Sequence, residues 1–124
     1  MPRTTITVQD GGANASLDNL AWTAADQTNG MDYDNSDGKV LVLSRNTNAA
    51  ARTITANSVS AGPYQRTGNK TISLAAVTGV STGGPYTPDG FNQSTGKVNI
   101  DPSANAVSND FQIACIRMNL IRPY

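Results

Sequence analysis

Short stretches of alternating apolar and polar residues run along the whole chain. Residues 4–8, 52–59 and 109–121 each alternate with a period of two, which is typical of a strand with one side against a core. Residues 10–12, Asp-Gly-Gly, are expected to end the first of these strands, because glycine clusters interrupt regular structure.

Other stretches have different patterns. Residues 39–45 hold a continuous apolar run, Val-Leu-Val-Leu, which predicts a strand buried on both faces. Residues 71–77 and 96–100 predict two shorter strands. Residues 16–25 fit either a helix or an extended segment. Residues 32–38 predict a polar turn, and residues 80–93 predict the longest irregular stretch.

This pattern predicts an all-β chain of about six to eight short strands. The expected architecture is a single β-sandwich, with jelly-roll or Greek-key connections and long polar loops. A chain of 124 residues without repeats or a linker is expected to form one domain over residues 1–124. Residues 1–10 are either an N-terminal arm that adds a strand to a neighbour or an edge strand of the domain's own sheet.

Charge excludes two classes of partner. The formal net charge is zero, and the basic residues are scattered from Arg3 to Arg122. Nucleic-acid binding depends on concentrated positive charge, so no nucleic-acid partner is expected. A neutral chain is not drawn to an anionic membrane, and no apolar run is long enough for a membrane helix, so no membrane partner is expected.

The residue inventory argues against catalysis. The chain has no histidine, and its nine acidic residues are all aspartate, so the usual general base and the Ser-His-Asp arrangement are missing. We therefore predict that the chain is not an enzyme and needs no cofactor; two facing aspartates would be the exception, because such a pair can hydrolyse glycosides. Cys115 lies in an apolar stretch and is expected to be a small buried residue.

One acidic cluster has the composition of a calcium ligand set. Asp32, Asp34 and Asp37 bring three carboxylates into six residues, and calcium prefers oxygen ligands. The cluster departs from the EF-hand pattern, because Asp37 stands at the glycine position and no glutamate follows at the twelfth place. The favoured interpretation is a solvated turn before Lys39, with a weak ion site as the alternative.

Three aromatic residues lie in loops rich in proline and glycine: Tyr64, Tyr86 and Phe91. They are candidates for an exposed stacking platform, for interface anchors, or for rings that fold down to seal the ends of the sandwich. Tyr124, in the C-terminal Arg-Pro-Tyr, either docks at an interface or frays.

Five short motifs follow one another in an order that resembles a known family. They are Thr-Thr-Ile-Thr at 4–7, Ala-Ala-Asp-x-x-Asn-Gly-Met at 24–31, Asn-x-Asp-Gly-Lys-Val-Leu-Val-Leu-x-x-Asn at 35–46, Gly-Pro-Tyr-x-Pro at 84–88, and Phe-Asn-Gln-x-x-Gly-x-Val-x-Ile-Asp at 91–101. This succession is similar to that of the head decoration, auxiliary capsid or cement proteins of tailed bacteriophages, which are small β-sandwich virion proteins. The chain departs from them in polar insertions around residues 61–69 and 77–83.

The resemblance implies a structural role without an active site. It predicts a virion protein, made in the cytoplasm of the bacterial host, that binds the major capsid protein on the outer capsid surface and bridges neighbouring capsomers. It also predicts self-association as a homotrimer. The candidate contact residues are Thr4, Thr5, Ile6, Thr7, Val8, Tyr64, Tyr86, Phe91 and Tyr124.

Two other functions fit the same sequence. One is a tail or head–tail connector component of the virion. The other is a carbohydrate-binding module for host attachment, which predicts exposed, coplanar aromatic rings at Tyr64, Tyr86 and Phe91 and a bound calcium ion.

Overall fold

The computed structural model of the chain describes residues 2–12, 20–59 and 68–119. Within these ranges the chain forms ten strands and one short helix. The strands of the first half are β1 Thr4–Thr5, β2 Val8–Gly12, β3 Thr23–Ala24, β4 Met31–Asp34, β5 Val40–Asn46 and β6 Arg52–Ala56. The later elements are β7 Lys70–Leu74, β8 Gly79–Gly83, α1 Pro88–Phe91, β9 Lys97–Pro102 and β10 Phe111–Asn119.

Two sheets pack face to face, which confirms the predicted all-β sandwich. Sheet I has the order β1-β4-β9-β6-β7, and sheet II has the order β2-β10-β5-β8, with β3 also paired to β10. Among strands β3 to β10, every pair of neighbouring strands is antiparallel. The chain changes sheet at each connection from β3 to β10 except the one from β6 to β7. This arrangement of eight strands is that of a jelly roll.

The core lies between the two sheets and is built from alternate residues of each strand. Both sheets send aliphatic and aromatic side chains inward, because each strand buries one face and leaves the other outside. The predicted burial of Cys115 is confirmed, since its exposure is 0%. The largest fully buried side chains are Tyr33, Phe111, Ile6, Met31, Ile54, Leu74, Ile100 and Ile113.

The N-terminal alternation was expected to form one strand over residues 4–8, and this prediction is wrong. Residues 4–5 pair in sheet I and residues 8–12 pair in sheet II, so the chain crosses between the sheets at Ile6 and Thr7. Ile6 is 2% exposed and points into the core at the crossing. Asp10, Gly11 and Gly12 were expected to end a strand, but they form the second half of β2.

Three further expectations are corrected by the structure. The predicted turn at 32–38 begins with a strand, because Tyr33 is buried and Asp34 points out. The run at 39–45 is not buried on both faces, since its residues alternate between buried and half-buried. The irregular stretch at 80–93 contains most of β8 and all of α1.

The other strand predictions agree with the structure to within a few residues. The predictions over 52–59, 71–77, 96–100 and 109–121 correspond to β6, β7, β9 and β10. The ambiguous segment at 16–25 lies partly outside the described residues. Its described part, residues 20–25, is extended and holds β3.

Candidate interaction surfaces

The N-terminal segment, residues 2–12, lies along one side of the sandwich and joins the edges of both sheets. Its first strand runs parallel to β4, with the Thr4 amide donating to the Gly30 carbonyl at 3.0 Å and the Ile6 amide to the Asp32 carbonyl at 2.8 Å. Its second strand runs parallel to β10, where Val8 is paired with Cys115. In this structure the segment therefore serves its own domain as an edge strand, the second of the two predicted roles.

Side chains add to these main-chain bonds at the start of the segment. The Arg3 guanidinium forms an ion pair with Asp101 at 2.8 Å and donates to the Met31 carbonyl at 3.1 Å. Gly30 makes room for it, because a Cβ there would lie 2.6 Å from Arg3 Nη1. The Thr4 hydroxyl donates to the Asp26 carboxylate. These contacts fix the segment against sheet I.

Two of these carboxylates have shifted pKa values. The hydrogen bond from Thr4, together with bonds from Asn29, lowers the pKa of Asp26 below its ordinary value of 3.8. Burial alone would raise the pKa of Asp101, but hydrogen bonds from Asn57 and Arg3 outweigh it and the pKa is lowered. Each bond therefore favours the charged carboxylate.

Acid is expected to loosen the N-terminal segment. A carboxylate whose pKa is lower in the folded than in the unfolded state stabilises the fold above the ordinary value of 3.8, and this contribution is lost as the pH falls through the folded pKa. We expect the amides of Thr4 and Ile6 to lose hydrogen-exchange protection below about pH 4, relative to core amides measured at the same pH. Protection factors measured by NMR at pH 6 and pH 3 test this.

The matched variants separate this effect from general acid destabilisation. Asp26→Asn and Asp101→Asn together should reduce the pH dependence of the protection of Thr4 and Ile6. Asp34→Asn is the control, because the lowered pKa of Asp34 arises from hydrogen bonds with Ser36 in a turn. The comparison is between the unchanged chain, the double variant and Asp34→Asn. Equal loss of protection at low pH in all three would contradict a specific role for Asp26 and Asp101.

Tyr86 and Phe91 are buried at one end of the sandwich, with exposures of 7% and 3%. Their ring centroids are 4.7 Å apart at an angle of 42°. This burial fits the sealing role, which was one of the three predictions, and it argues against an exposed stacking platform at these two rings. A contact role for these residues stays a prediction. Tyr64 and Tyr124 lie outside the described residues.

A pair of asparagines holds this end closed. The Asn35 side chain donates to the Tyr86 carbonyl at 2.9 Å and to Asn92 Oδ1 at 2.8 Å. Asn92 returns a bond to the Asn35 carbonyl at 2.8 Å. Since Asn35 is fully buried, these bonds anchor the aromatic loop to the end of β4.

The acidic cluster at 32–38 forms the contacts of a turn. Asp34 accepts from the Ser36 amide, and Asp37 accepts from the Lys39 amide at 3.1 Å and from Arg117 Nε at 2.8 Å. Gly38 takes a φ of +70°, which suits glycine. Across the described parts of the chain, no group of three or more histidine, cysteine, aspartate or glutamate side chains is placed to hold a metal ion.

The two sheets present chemically different outer faces. Sheet I carries hydroxyls, amides and charges on its outer side, which we call the polar face. Asp34 pairs with Lys97 across β4 and β9, and Thr55 lies between Asp101 and Thr71 across β9, β6 and β7. The described members of the polar face are Thr5, Asp32, Asp34, Thr53, Thr55, Thr71, Ser73, Lys97, Asn99 and Asp101.

Sheet II carries aliphatic side chains on its outer side, which we call the apolar face. Leu41 pairs with Ile116 and Leu43 with Ala114 across β5 and β10. Val80, on β8, points the same way and is 72% exposed. The described members of the apolar face are Gln9, Gly11, Ala24, Leu41, Leu43, Arg45, Val80, Thr82, Gln112, Ala114, Ile116 and Met118.

The one charged residue among these members of the apolar face is Arg45, and its guanidinium is engaged within the chain. Its Nε donates to Gln112 Oε1 at 2.7 Å. Its Cζ lies 4.3 Å from the centroid of the Trp22 ring, a cation–π contact. The charge is therefore held at one corner of the face, away from the aliphatic centre at Leu41 and Ile116.

Comparisons with known proteins leave the family open, because no family model, curated protein or solved structure matches this chain. The resemblance to phage decoration proteins therefore stays a prediction from the sequence motifs. No helix within the described ranges is long and apolar enough to cross a membrane.

Proposed function

We propose that this chain is a structural virion protein of a tailed bacteriophage, which binds the outer capsid surface as a decoration or cement protein. The observation that carries a binding role is the contrast between the polar face and the apolar face of one sandwich. A protein that acts by attachment needs a face that contacts a neighbour and a face that stays in water. The sequence resemblance supplies the capsid as the surface that is bound.

Two carboxylates and the cysteine are poorly suited to catalysis at neutral pH, which supports a structural role. General acid–base catalysis at neutral pH requires a group with a pKa near 7. Hydrogen bonds from Thr4 and Asn48 lower the pKa of Asp26 and Asp110, so both carboxylates are charged at neutral pH. Burial raises the pKa of the Cys115 thiol to about 12, which keeps it neutral and unreactive.

On a capsid lattice, weak contacts by each copy would be sufficient for stable attachment. Many copies attached to neighbouring capsomers act together, because each bound copy raises the effective concentration of the next contact. In this proposal the partner is the major capsid protein, and the location is the outer surface of the virion. The burial of Tyr86 and Phe91 weighs against a sugar-binding platform at these rings.

Capsids that lack the protein test this proposal directly. We expect the purified chain to sediment with such capsids in a saturable way, and cryo-electron microscopy of the pellet to show density at fixed lattice points. Capsids that already carry the protein are the control, and they should bind little more because their sites are filled. No binding to any capsid form would overturn the capsid role, and binding to purified tails instead would move the protein to the tail.

A further inference from the structure

We propose that Arg45 and Trp22 form a binding site for one carboxylate, the group that an acidic side chain of a partner protein presents. The site goes beyond the proposed function and does not depend on it, because the purified chain carries it alone. Three features of the molecule point to it: the missing counter-charge of Arg45, the fixed position of its guanidinium, and the single charge of its surroundings.

Arg45 has no acidic partner among the described residues, unlike two other arginines of the chain. Arg3 forms an ion pair with Asp101 at 2.8 Å, and Arg117 forms one with Asp37 at 2.8 Å. No aspartate of the described ranges lies within ion-pair distance of Arg45, which is half-buried. A partly desolvated guanidinium without a counter-charge favours an anion, because opposite charges attract more strongly where less water screens them.

The neighbours of Arg45 explain why its charge is not neutralised. Its partners on the adjacent strands are Val80 and Gln112, and neither is charged. Asp110 is the acidic residue closest in sequence to Gln112, but its carboxylate accepts a hydrogen bond from Asn48 Nδ2 at 2.6 Å. This corner of the apolar face therefore carries one uncompensated positive charge.

Two contacts hold the guanidinium of Arg45 in place and leave part of it available. Its Nε donates to Gln112 Oε1 at 2.7 Å, and its Cζ lies 4.3 Å from the centroid of the Trp22 ring. No described residue accepts a hydrogen bond from its two Nη groups. These groups lie in one plane and can donate to both oxygens of one carboxylate. Because the side chain is held before binding, it loses less conformational freedom when the ligand binds.

The charge of the site favours a carboxylate over a phosphate group. Arg45 is the one charged residue among the described members of the apolar face, so the site offers a single positive charge. A phosphate group carries a charge of about −1.5 to −2 at pH 7 and would stay partly uncompensated there. Tryptophan and arginine are enriched among the residues that contribute most to binding at protein interfaces, which favours an acidic side chain of a protein as the ligand.

NMR titration of the isotope-labelled chain with N-acetylaspartate amide tests the site, since this probe carries one aspartate side chain. We expect the Arg45 Nε–H and Trp22 indole signals to shift together and to saturate, with a dissociation constant of about 10–100 mM at constant ionic strength. The Arg117 Nε–H is the internal control, because it is also hydrogen-bonded within the chain, but to Asp37. Its signal should stay in place.

A neutral probe and one variant separate a carboxylate site from general attraction of anions. N-acetylasparagine amide has the same shape without the charge, and it should cause no saturable shift. Arg45→Lys keeps the charge but lacks the planar pair of donors, so the dissociation constant reported by the Trp22 indole should rise at least about threefold. Thermal unfolding verifies that this variant is folded.

Four results would each overturn the proposal. Shifts that do not saturate, or equal shifts at Arg45 and Arg117, would mean that the probe only gathers around positive charge. Unchanged affinity in Arg45→Lys would mean that the fixed guanidinium adds nothing to a point charge. Tighter binding of inorganic phosphate than of N-acetylaspartate amide would mean that the site selects a phosphate group instead.

Discussion

Replacing Gly79 with alanine is expected to destabilise the fold by about 3 kcal/mol or more. Gly79 is buried at the start of β8, and a Cβ there would lie 2.3 Å from the Ala75 carbonyl oxygen and 2.6 Å from the Ala75 nitrogen. The Leu74 carbonyl carbon would lie 3.0 Å away. These are backbone atoms at the end of β7 and in the connection that follows it, so relief requires the backbone of residues 74–79 to shift.

Urea unfolding measures this effect, because the midpoint falls in proportion to the lost free energy. A domain of this size is stabilised by only about 5–15 kcal/mol, so the Gly79→Ala midpoint should fall clearly. Gly68→Ala is the control, since a Cβ at Gly68 meets nothing within 4 Å. It should leave the midpoint unchanged or raise it slightly. A Gly79→Ala midpoint equal to that of the unchanged chain would show that the connection can shift freely.

Asn46→Ala is expected to cost about 3 kcal/mol, because three hydrogen bonds to backbone groups are lost together. Asn46 is fully buried at the end of β5. Its side-chain nitrogen donates to the Ala50 carbonyl at 2.9 Å and to the Ala75 carbonyl at 3.1 Å, and its side-chain oxygen accepts from the Asn48 amide at 3.0 Å. The side chain thus ties the loop after β5 to the connection between β7 and β8.

Denaturant unfolding of Asn46→Ala is best compared with Asn99→Ala, an asparagine on the polar face of β9. The Asn99 variant should change the unfolding free energy by less than about 1 kcal/mol. Asn46 is paired with Gly79 in the ladder between β5 and β8, so the two destabilising substitutions should not be additive when they are combined. A small effect of Asn46→Ala alone would mean that other groups satisfy the three backbone partners.

The alternation of apolar and polar residues predicted where most strands lie, but not the sheet to which each strand belongs. Ile6 and Val8 have the parity of one strand, yet the chain crosses between sheets at Ile6 and Thr7. Apolar and polar residues still alternate through the crossing, because the core lies between the two sheets and every second residue faces it on either side of the crossing. The strand Met31–Asp34 was missed because its two aspartates belong to a cluster of turn-forming residues.

The apolar run at 40–43 misled for a physical reason. Val40 and Val42 face the core, whereas Leu41 and Leu43 belong to the apolar face. A sequence shows only that all four are apolar, which is typical of a strand covered on both sides. The apolar face itself could not be predicted, because Leu41 meets Ile116 only through a register between strands about 75 residues apart.

The candidate residues that sequence analysis selected were chosen for their chemistry rather than their position. Tyr86 and Phe91 were selected because aromatic residues in loops are common at interfaces, but burial of their rings against the core is more favourable than exposure. The bonded turn of Asp34 and Asp37 was the favoured interpretation of the acidic cluster, and the structure agrees with it.

The N-terminal segment, residues 2–12, pairs with the edges of both sheets, and this has a consequence for the order of folding. Val8 pairs with Cys115, about a hundred residues later in the chain. A nascent chain therefore cannot complete sheet II until its last described strand has left the ribosome. Contacts so distant in sequence also slow folding, since a long loop must close before they form. The pairing of β2 with β10 should thus be the last part of the sandwich to become protected during synthesis.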